Sequence, residues 1–290
     1  MTEPSPEVHV SPATRSGRLV LVATPIGNLG DLSPRSVAAL ADADVIACED
    51  TRRTGRLLAH ADIRDKKLII VNDHSERDSV GGVMKLLRAG ITVAVVTDAG
   101  LPGISDPGQM LVAGAVDEGF DVLVIPGPSA GVTALVGSGI DTSRWVFEGF
   151  IPRKGSARSE RLLELASERR TLVIYESPHR LERTVTDLAN VFGGERRVAV
   201  ARELTKLHEQ YWRGTLDEAV AWAAETLKGE IVIVVEGAPK ATEPTDEMIM
   251  EELRAAISQG ETTRDAVAQV TTTLGVARNR TKDLAHKLND

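Results

Sequence analysis

At 290 residues the chain is long enough for one large domain or two modest ones, and 42% apolar against 26% charged residues is the balance of a compact soluble protein. Its single cysteine, Cys48, excludes an internal disulfide framework and a cysteine-based metal cluster. A net charge of -8 and a pI near 5.4 argue against a protein that coats itself with nucleic acid, while leaving room for a local positive surface.

Residues 1–17 are rich in proline and serine and carry no hydrophobic signal region, so they read as a disordered leader. No apolar run reaches membrane-spanning length, which makes the cytoplasm the expected location. Then comes a repeated pattern of short aliphatic run, polar loop and helix-like segment. The runs are Leu19–Ala23, Val45–Ala47, Leu68–Val71, Ile91–Val96 and Val122–Ile125. They are β-branched and nearly continuous, as in strands covered on both faces. Ser33-Pro34 supplies a helix cap and a first-position proline, and Ser79–Ala89 and Gly108–Glu118 suit crossover helices. A parallel α/β domain over residues 18–126 follows.

After Arg153 the runs Thr171–Tyr175, Arg197–Ala201 and Glu230–Val235 alternate more strongly, which predicts a second α/β domain with a mixed sheet, placed at 127–240. A Pro/Lys/Glu/Thr linker then leads to helices over Glu247–Ile257, Arg264–Thr273 and Arg278–Leu288. These form a small appendage, 246–290, with a helix-turn-helix character around Leu274-Gly275-Val276.

The loops leaving four of the first-half runs are rich in functional possibilities. They are Thr24-Pro25-Ile26-Gly27-Asn28, Glu49-Asp50-Thr51-Arg52, Thr97–Gly108 and Pro126-Gly127-Pro128-Ser129-Ala130. Ligands of open parallel sheets bind outside the carboxyl ends of the strands, so these loops converge on a site, although each alone would pass for an ordinary turn. Glycines in Asp98–Gly108 admit close main-chain approach and prolines hold the turns between them. The helix opening after Pro128 favours an anion. The combination suits a zwitterionic nucleoside better than a triphosphate, which would call for a basic cradle. No GxGxxG, Walker or HExxH motif is present, and the histidines, among them His74, His179 and His208, lack metal-ligand spacing, so no metal is expected. Arg153, Lys154, Arg158 and Arg161 cluster around Gly155. They read either as a solvated loop and helix face or as a surface for RNA.

These segments resemble the bacterial ribosomal RNA small-subunit methyltransferase I family of the tetrapyrrole-methylase-like superfamily. The resemblance is carried by Thr24 through Ser33, Glu49-Asp50-Thr51-Arg52, Asp98 through Gly108 and Pro126 through Ala130. In the second half it is carried by Gly149-Phe150-Ile151-Pro152-Arg153-Lys154, Tyr175-Glu176-Ser177-Pro178-His179-Arg180 and Arg202 through Glu209. It spans residues 18 to 237, and the terminal helices resemble that family's helical appendage. One departure is His74-Ser75-Glu76, where the family commonly shows His-Asn-Glu; serine lacks the amide geometry.

The resemblance implies a homodimeric, two-domain tetrapyrrole methylase-like α/β fold: a parallel-sheet N-terminal domain, a mixed-sheet second domain and a small C-terminal helical appendage. It implies S-adenosylmethionine as cofactor in the cleft between domains, and as acceptor the ribose 2'-oxygen of a cytidine in the decoding region of 16S ribosomal RNA, on the RNA or the small subunit. The residues expected at the cofactor are Pro25, Asp98, Gly103, Ile104, Ser105, Asp106, Pro128, Ser129 and Ala130. Those expected at RNA are Arg153, Lys154, His179, Arg180 and Lys206. A ribose hydroxyl must lose its proton during attack. Glu49, Asp50, Arg52 and Glu203 are the expected catalytic groups, with Glu176 and Arg202 as further candidates; a structural ion-pair network is equally open to all of them. A tetrapyrrole C-methyltransferase and a non-enzymatic RNA-binding module are the alternatives. A macrocycle needs neither the Arg153-Lys154-Gly155 segment nor the helical tail, and a binding module needs no nucleoside-sized pocket.

Overall fold

The computed structural model describes residues 17–71, 76–225, 228–240 and 244–288. The expected leader, apart from Gly17, and the His74-Ser75 part of the family departure lie outside the described residues.

The first half alternates strand and helix: β1 (Arg18–Val22), α1 (Pro34–Asp42), β2 (Val45–Cys48), α2 (Thr51–His60), β3 (Lys67–Ile70), α3 (Glu76–Arg88), β4 (Thr92–Val95), α4 (Gln109–Asp117) and β5 (Asp121–Ile125). Ser33 begins α1 as expected, its Oγ accepting from Ser36 N at 3.0 Å with Pro34 in the first turn. The strands form a five-stranded, fully parallel sheet of order β3-β2-β4-β1-β5. Alternate residues of β1 serve two cores. Leu19 and Leu21 pack with Val83, Met84, Leu87 and Leu111 of α3 and α4, while Val20 and Val22 pack with Leu40, Leu57 and Leu58 of α1 and α2. Burial on both faces explains the continuous aliphatic runs, each fully buried Leu or Val contributing about 1.5–3 kcal/mol. The chain therefore leaves β1 toward one face and neighbouring β4 toward the other. That divergence is the switch point at which parallel sheets open a ligand crevice.

The second half contains α5 (Ala130–Ser138), β6 (Trp145–Phe150), α6 (Ser156–Ala166), β7 (Thr171–Glu176), α7 (Leu181–Phe192), β8 (Arg197–Arg202), β9 (Gln210–Thr215), α8 (Leu216–Ala223) and β10 (Ile231–Val235). Its sheet is mixed, of order β6-β7-β10-β8-β9, with only the β6–β7 pair parallel. The edge strands β6 and β9 were not among the expected runs. Their sequences, WVFEGF and QYWRGT, mix aromatic, charged and glycine positions because an edge is only half covered. One face of this sheet packs on α6, α7 and α8. The other packs on Ala134 and Leu135 of α5 together with Ile26 and Ala99 from the β1 and β4 exits, so the loops of the first sheet rest on the second.

Residues 239–290 form a separate unit with its own small core. Helices α9 (Asp246–Ser258), α10 (Thr263–Leu274) and α11 (Arg278–Lys287) bury Ile249, Leu253, Val267, Val270 and Leu284, and left-handed Gly275 ends α10. Among the described residues no helix is long and apolar enough to cross a membrane.

Candidate active site

A cavity of 380 Å³ lies where the β1 and β4 exits, the start of α5 and the second sheet meet, a size suited to a nucleoside-like ligand. Of the expected cofactor residues, Asp98, Ile104, Ser105, Asp106, Ser129 and Ala130 line it. Pro25 lines an adjoining space of 350 Å³ that shares Ile26, Arg53, Asp98, Ala99 and Glu230 with the first. Gly103 and Pro128 belong to the same loops without lining the cavity; Gly103 N donates to Pro107 O at 3.0 Å and closes the turn. The two exits are tied by reciprocal backbone bonds, Thr24 N to Gly100 O at 2.8 Å and Gly100 N to Thr24 O at 3.1 Å. Loops that hold each other in this way present preformed main chain to a ligand.

Asp98 is the most informative group in the wall. Its Oδ2 meets the Arg53 guanidinium at 3.3 Å, whereas its buried Oδ1 has no hydrogen-bond partner among the described residues. Burial raises its carboxyl above the ordinary range, with Arg53 opposing the shift. An orphaned buried acceptor at a cavity wall fits a ligand that brings hydrogen-bond donors. At the start of α5, the Gly131 N–H donates to Tyr175 Oη at 3.1 Å, so part of the expected anion-binding end is already used by protein. Burial also raises the Tyr175 phenol, keeping it protonated.

The expected catalytic carboxylates have defined partners. Asp50 caps α2, accepting from Arg52 N at 2.8 Å, and grips the Arg52 side chain at 2.8 Å. The Arg52 bond holds the Asp50 carboxyl far below its ordinary range, which makes it a poor base. Glu49 follows β2 beside it. Neither Asp50 nor Arg52 is among the residues lining the two cavities. Glu203, at a positive φ of 51°, accepts from Lys206 Nζ at 2.8 Å and from Glu230 N at 3.0 Å, and Lys206 chiefly lowers its carboxyl. Glu176 is buried. It accepts from Ser177 N at 2.8 Å and Thr184 Oγ1 at 2.7 Å and pairs with Arg180 at 3.3 Å. That engagement makes it a clamp.

The basic cluster around Gly155 divides. Arg153 and Lys154 are exposed. Arg158 is buried, bonded to Asp187 Oδ2 at 2.8 Å, Pro152 O at 3.0 Å and Thr184 Oγ1 at 3.1 Å. Arg161 is held by Glu148 and Glu164. Neither open reading, a solvated face or an RNA surface, holds for all four: spacing on α6 turns Arg158 toward Asp187 of α7 and Arg161 toward Glu148 of β6. Of the other residues expected at RNA, His179 is exposed, Arg180 is tied to Glu176 and Ile151 O, and Lys206 lies between Glu203 and Glu230. Burial works against the Lys206 charge, but the two glutamates outweigh it and raise its pKa.

Arg53, Phe150, Tyr175 and Glu230 line the cavity although they were not singled out for the site. Arg53 follows Glu49–Arg52 by one residue, and Phe150 and Tyr175 sit inside quoted motifs, so the signal lay in those segments without distinguishing which side chains turn inward. Among the described residues no group of three His, Cys, Asp or Glu side chains is arranged to hold a metal ion.

The family model for Tetrapyrrole (Corrin/Porphyrin) Methylases matches residues 18–220. The chain is 46% identical over 275 residues to "Ribosomal RNA small subunit methyltransferase I" of Synechocystis sp., covering 94% of this chain and 98% of that protein. It is 47% identical over 256 residues to the protein of that name from Mycobacterium tuberculosis, covering 88% and 89%. Among solved structures, uroporphyrin-III C-methyltransferase from Thermus thermophilus complexed with S-adenyl homocysteine aligns with a TM-score of 0.56 at 18% identity, over 75% of this chain and 97% of that one, a likeness of fold.

Proposed function

We propose, for a chain that belongs to the ribosomal RNA small subunit methyltransferase I family within the tetrapyrrole methylases, that it transfers a methyl group from S-adenosylmethionine to small-subunit ribosomal RNA. The acceptor in this reading is the ribose 2'-oxygen of a cytidine in the decoding region. The protein acts as a homodimer in the cytoplasm, and its C-terminal helical unit assists RNA engagement. The observation that carries the reading is the cavity at the β1/β4 switch point, walled by preformed main chain and by a buried acceptor without a partner among the described residues. Such a site matches a nucleoside bearing an amino-acid tail, and it lacks the basic cradle that a triphosphate needs. The tetrapyrrole alternative rests on fold likeness at low identity, whereas relatives at 46–47% identity bear the ribosomal RNA name.

The cofactor, when bound, supplies an electrophilic methyl carbon. The chain's own contribution is placement. The Gly100–Ser105 main chain and Ser129-Ala130 would hold the nucleoside and its tail, with Asp98 accepting from its donors. Exposed Arg153 and Lys154 would fix the RNA backbone through phosphate without reading sequence. The attacking hydroxyl must give up its proton. Asp50 and Glu203, whose carboxyls are held below the ordinary range, are ill suited to take it, which directs the search to the acids of the cavity wall. The test is methyl transfer from labelled S-adenosylmethionine to small subunits from cells lacking this protein, with mass mapping of the product. Transfer to one ribose is expected, and a blank result with folded protein rejects the reading. Sedimentation at micromolar and submicromolar concentrations tests the dimer.

A further inference from the structure

Strand β6 pairs with β7 in parallel, yet its register shifts between Phe147 and Gly149. Phe147 faces Val173, Gly149 faces Ile174 and Phe150 faces Tyr175. Glu148 is thus an extra residue, a β-bulge, which is rare in parallel pairs and reverses the side on which every later residue points. Before the bulge, Val146 packs into the core beneath α6 and α7 while Phe147 packs on the opposite, cavity-side face with Val173 and Tyr175. In an uninterrupted strand Phe150 would fall on the same face as Val146. With the bulge it joins Phe147 and Tyr175.

The bulge is anchored at both ends. The Glu148 carboxylate takes two bonds from Arg161 of α6, at 2.7 and 2.5 Å. Gly149 has a φ of +68°, and a Cβ there would come within 3.3 Å of Ser105 Oγ in the β4 exit loop. A side chain at 149 would therefore be strained and would also press on the cofactor-side loop. The outcome is an aromatic edge at the cavity. Phe147 and Phe150 both meet the Tyr175 ring edge-on, at 5.0 and 5.7 Å, and Tyr175 is itself pinned through its hydroxyl. Phe150 lines the cavity but stays 54% exposed. The bulge places this ring at the cavity, where a continuous strand would have turned it toward the core beneath α6 and α7.

We propose that Phe150 is the stacking platform for the base of the acceptor nucleotide, a positioning residue on the RNA side of the cavity. The proposal rests on the RNA methyltransferase reading. Every base has a π-face, so an exposed ring held from behind can seat a base extracted from its stack and fix the attached ribose, while Arg153 and Lys154, three and four residues on, meet the phosphates. Base recognition is thus tied to the strand and phosphate contacts to the loop that follows it.

The test compares Phe150→Leu and Phe150→Trp in the intact protein, with methyl transfer to small subunits, S-adenosylmethionine calorimetry and thermal melting measured on each. Leucine retains apolar bulk without a ring. It should cost about ten-fold in kcat/KM, at the lower end of the range for losing one stacked base. Tryptophan should restore transfer to within about three-fold, because the larger ring stacks at least as well. Cofactor affinity and melting temperature should match the unaltered protein in both. Wild-type transfer by the leucine variant overturns the platform, as does failure of tryptophan to exceed leucine. A parallel fall in cofactor affinity also overturns it, by making Phe150 part of the cofactor wall. Absence of transfer by the unaltered protein would instead remove the reading on which the proposal rests.

Discussion

Arg158 and Arg180, from different elements, hold consecutive carbonyls: Arg158 donates to Pro152 O at 3.0 Å and Arg180 to Ile151 O at 2.7 Å. The two meet again through Thr184 and Glu176, since Thr184 accepts from Arg158 and donates to Glu176, which pairs with Arg180. The network fixes the exit of β6 immediately before exposed Arg153 and Lys154. Its guanidinium forks satisfy several acceptors at once, which an ammonium cannot do. Arg158→Ala should therefore cost about 2–3 kcal/mol, discounted for the one-third exposure of Asp187, and Arg158→Lys should recover little of it. Urea denaturation checks this; an alanine variant of unchanged stability would show that the buried cation holds nothing.

Asp98 should behave as a residue whose burial lowers stability and serves binding. Its folded pKa is raised, so the folded state keeps the proton longer than the unfolded chain does. The resulting penalty is absent below the unfolded value, about 3.9, and is complete only above the raised one. Asp98→Asn should leave the melting temperature at neutral pH unchanged or higher, because the Arg53 partner is largely exposed. Its affinity for S-adenosylmethionine should fall by about ten-fold or more, the worth of a hydrogen bond to a charged group. As the pH is lowered toward the raised pKa of Asp98, binding by the unaltered protein should begin to release protons, seen as calorimetric heats that differ between buffers of different ionisation enthalpy. Retained affinity in Asp98→Asn would remove Asp98 from the cofactor site.

Substitution at Gly103 separates space from conformation. A Cβ there would meet Gln109 N at 3.5 Å, an ordinary contact, but φ is +85°. Close main-chain approach to a ligand is one reason for a glycine here, and the left-handed backbone is a second. Gly103→Ala should already cost about 1–2 kcal/mol in loop ordering, and the β-branched Gly103→Val more. Cofactor affinity should fall in that order. Equal affinity across all three proteins would dissociate the turn from the site.

The exposed pair Arg153 and Lys154 should account for much of the salt dependence of RNA binding despite the acidic whole. Replacing both with alanine should reduce the slope of log affinity against log salt by about one to two units, since each phosphate contact contributes roughly 0.7–0.9. Cofactor affinity should stay the same. An unchanged slope would mean that these side chains only solubilise the loop.

The first sheet was legible in the sequence because its information is local. Runs such as Leu19–Ala23 and Ile91–Val96 announce strands buried on both faces, Ser33-Pro34 announces a helix start, and glycine and proline mark the exits where a ligand binds. The motifs also carried the family. Edge strands β6 and β9 escaped because half-covered strands need no apolar continuity. The partners of each charge escaped for a different reason. Arg158 and Arg153 are alike in composition, and one is buried against Asp187 while the other faces solvent because of the helix face and neighbour each meets. Likewise GFIPRK gives Phe150 no face of its own until one extra residue, Glu148, shifts its register against β7. Patterns three to five residues long record local backbone preference. Which side chain reaches the cavity depends on contacts between residues far apart in the chain, and only packing decides those.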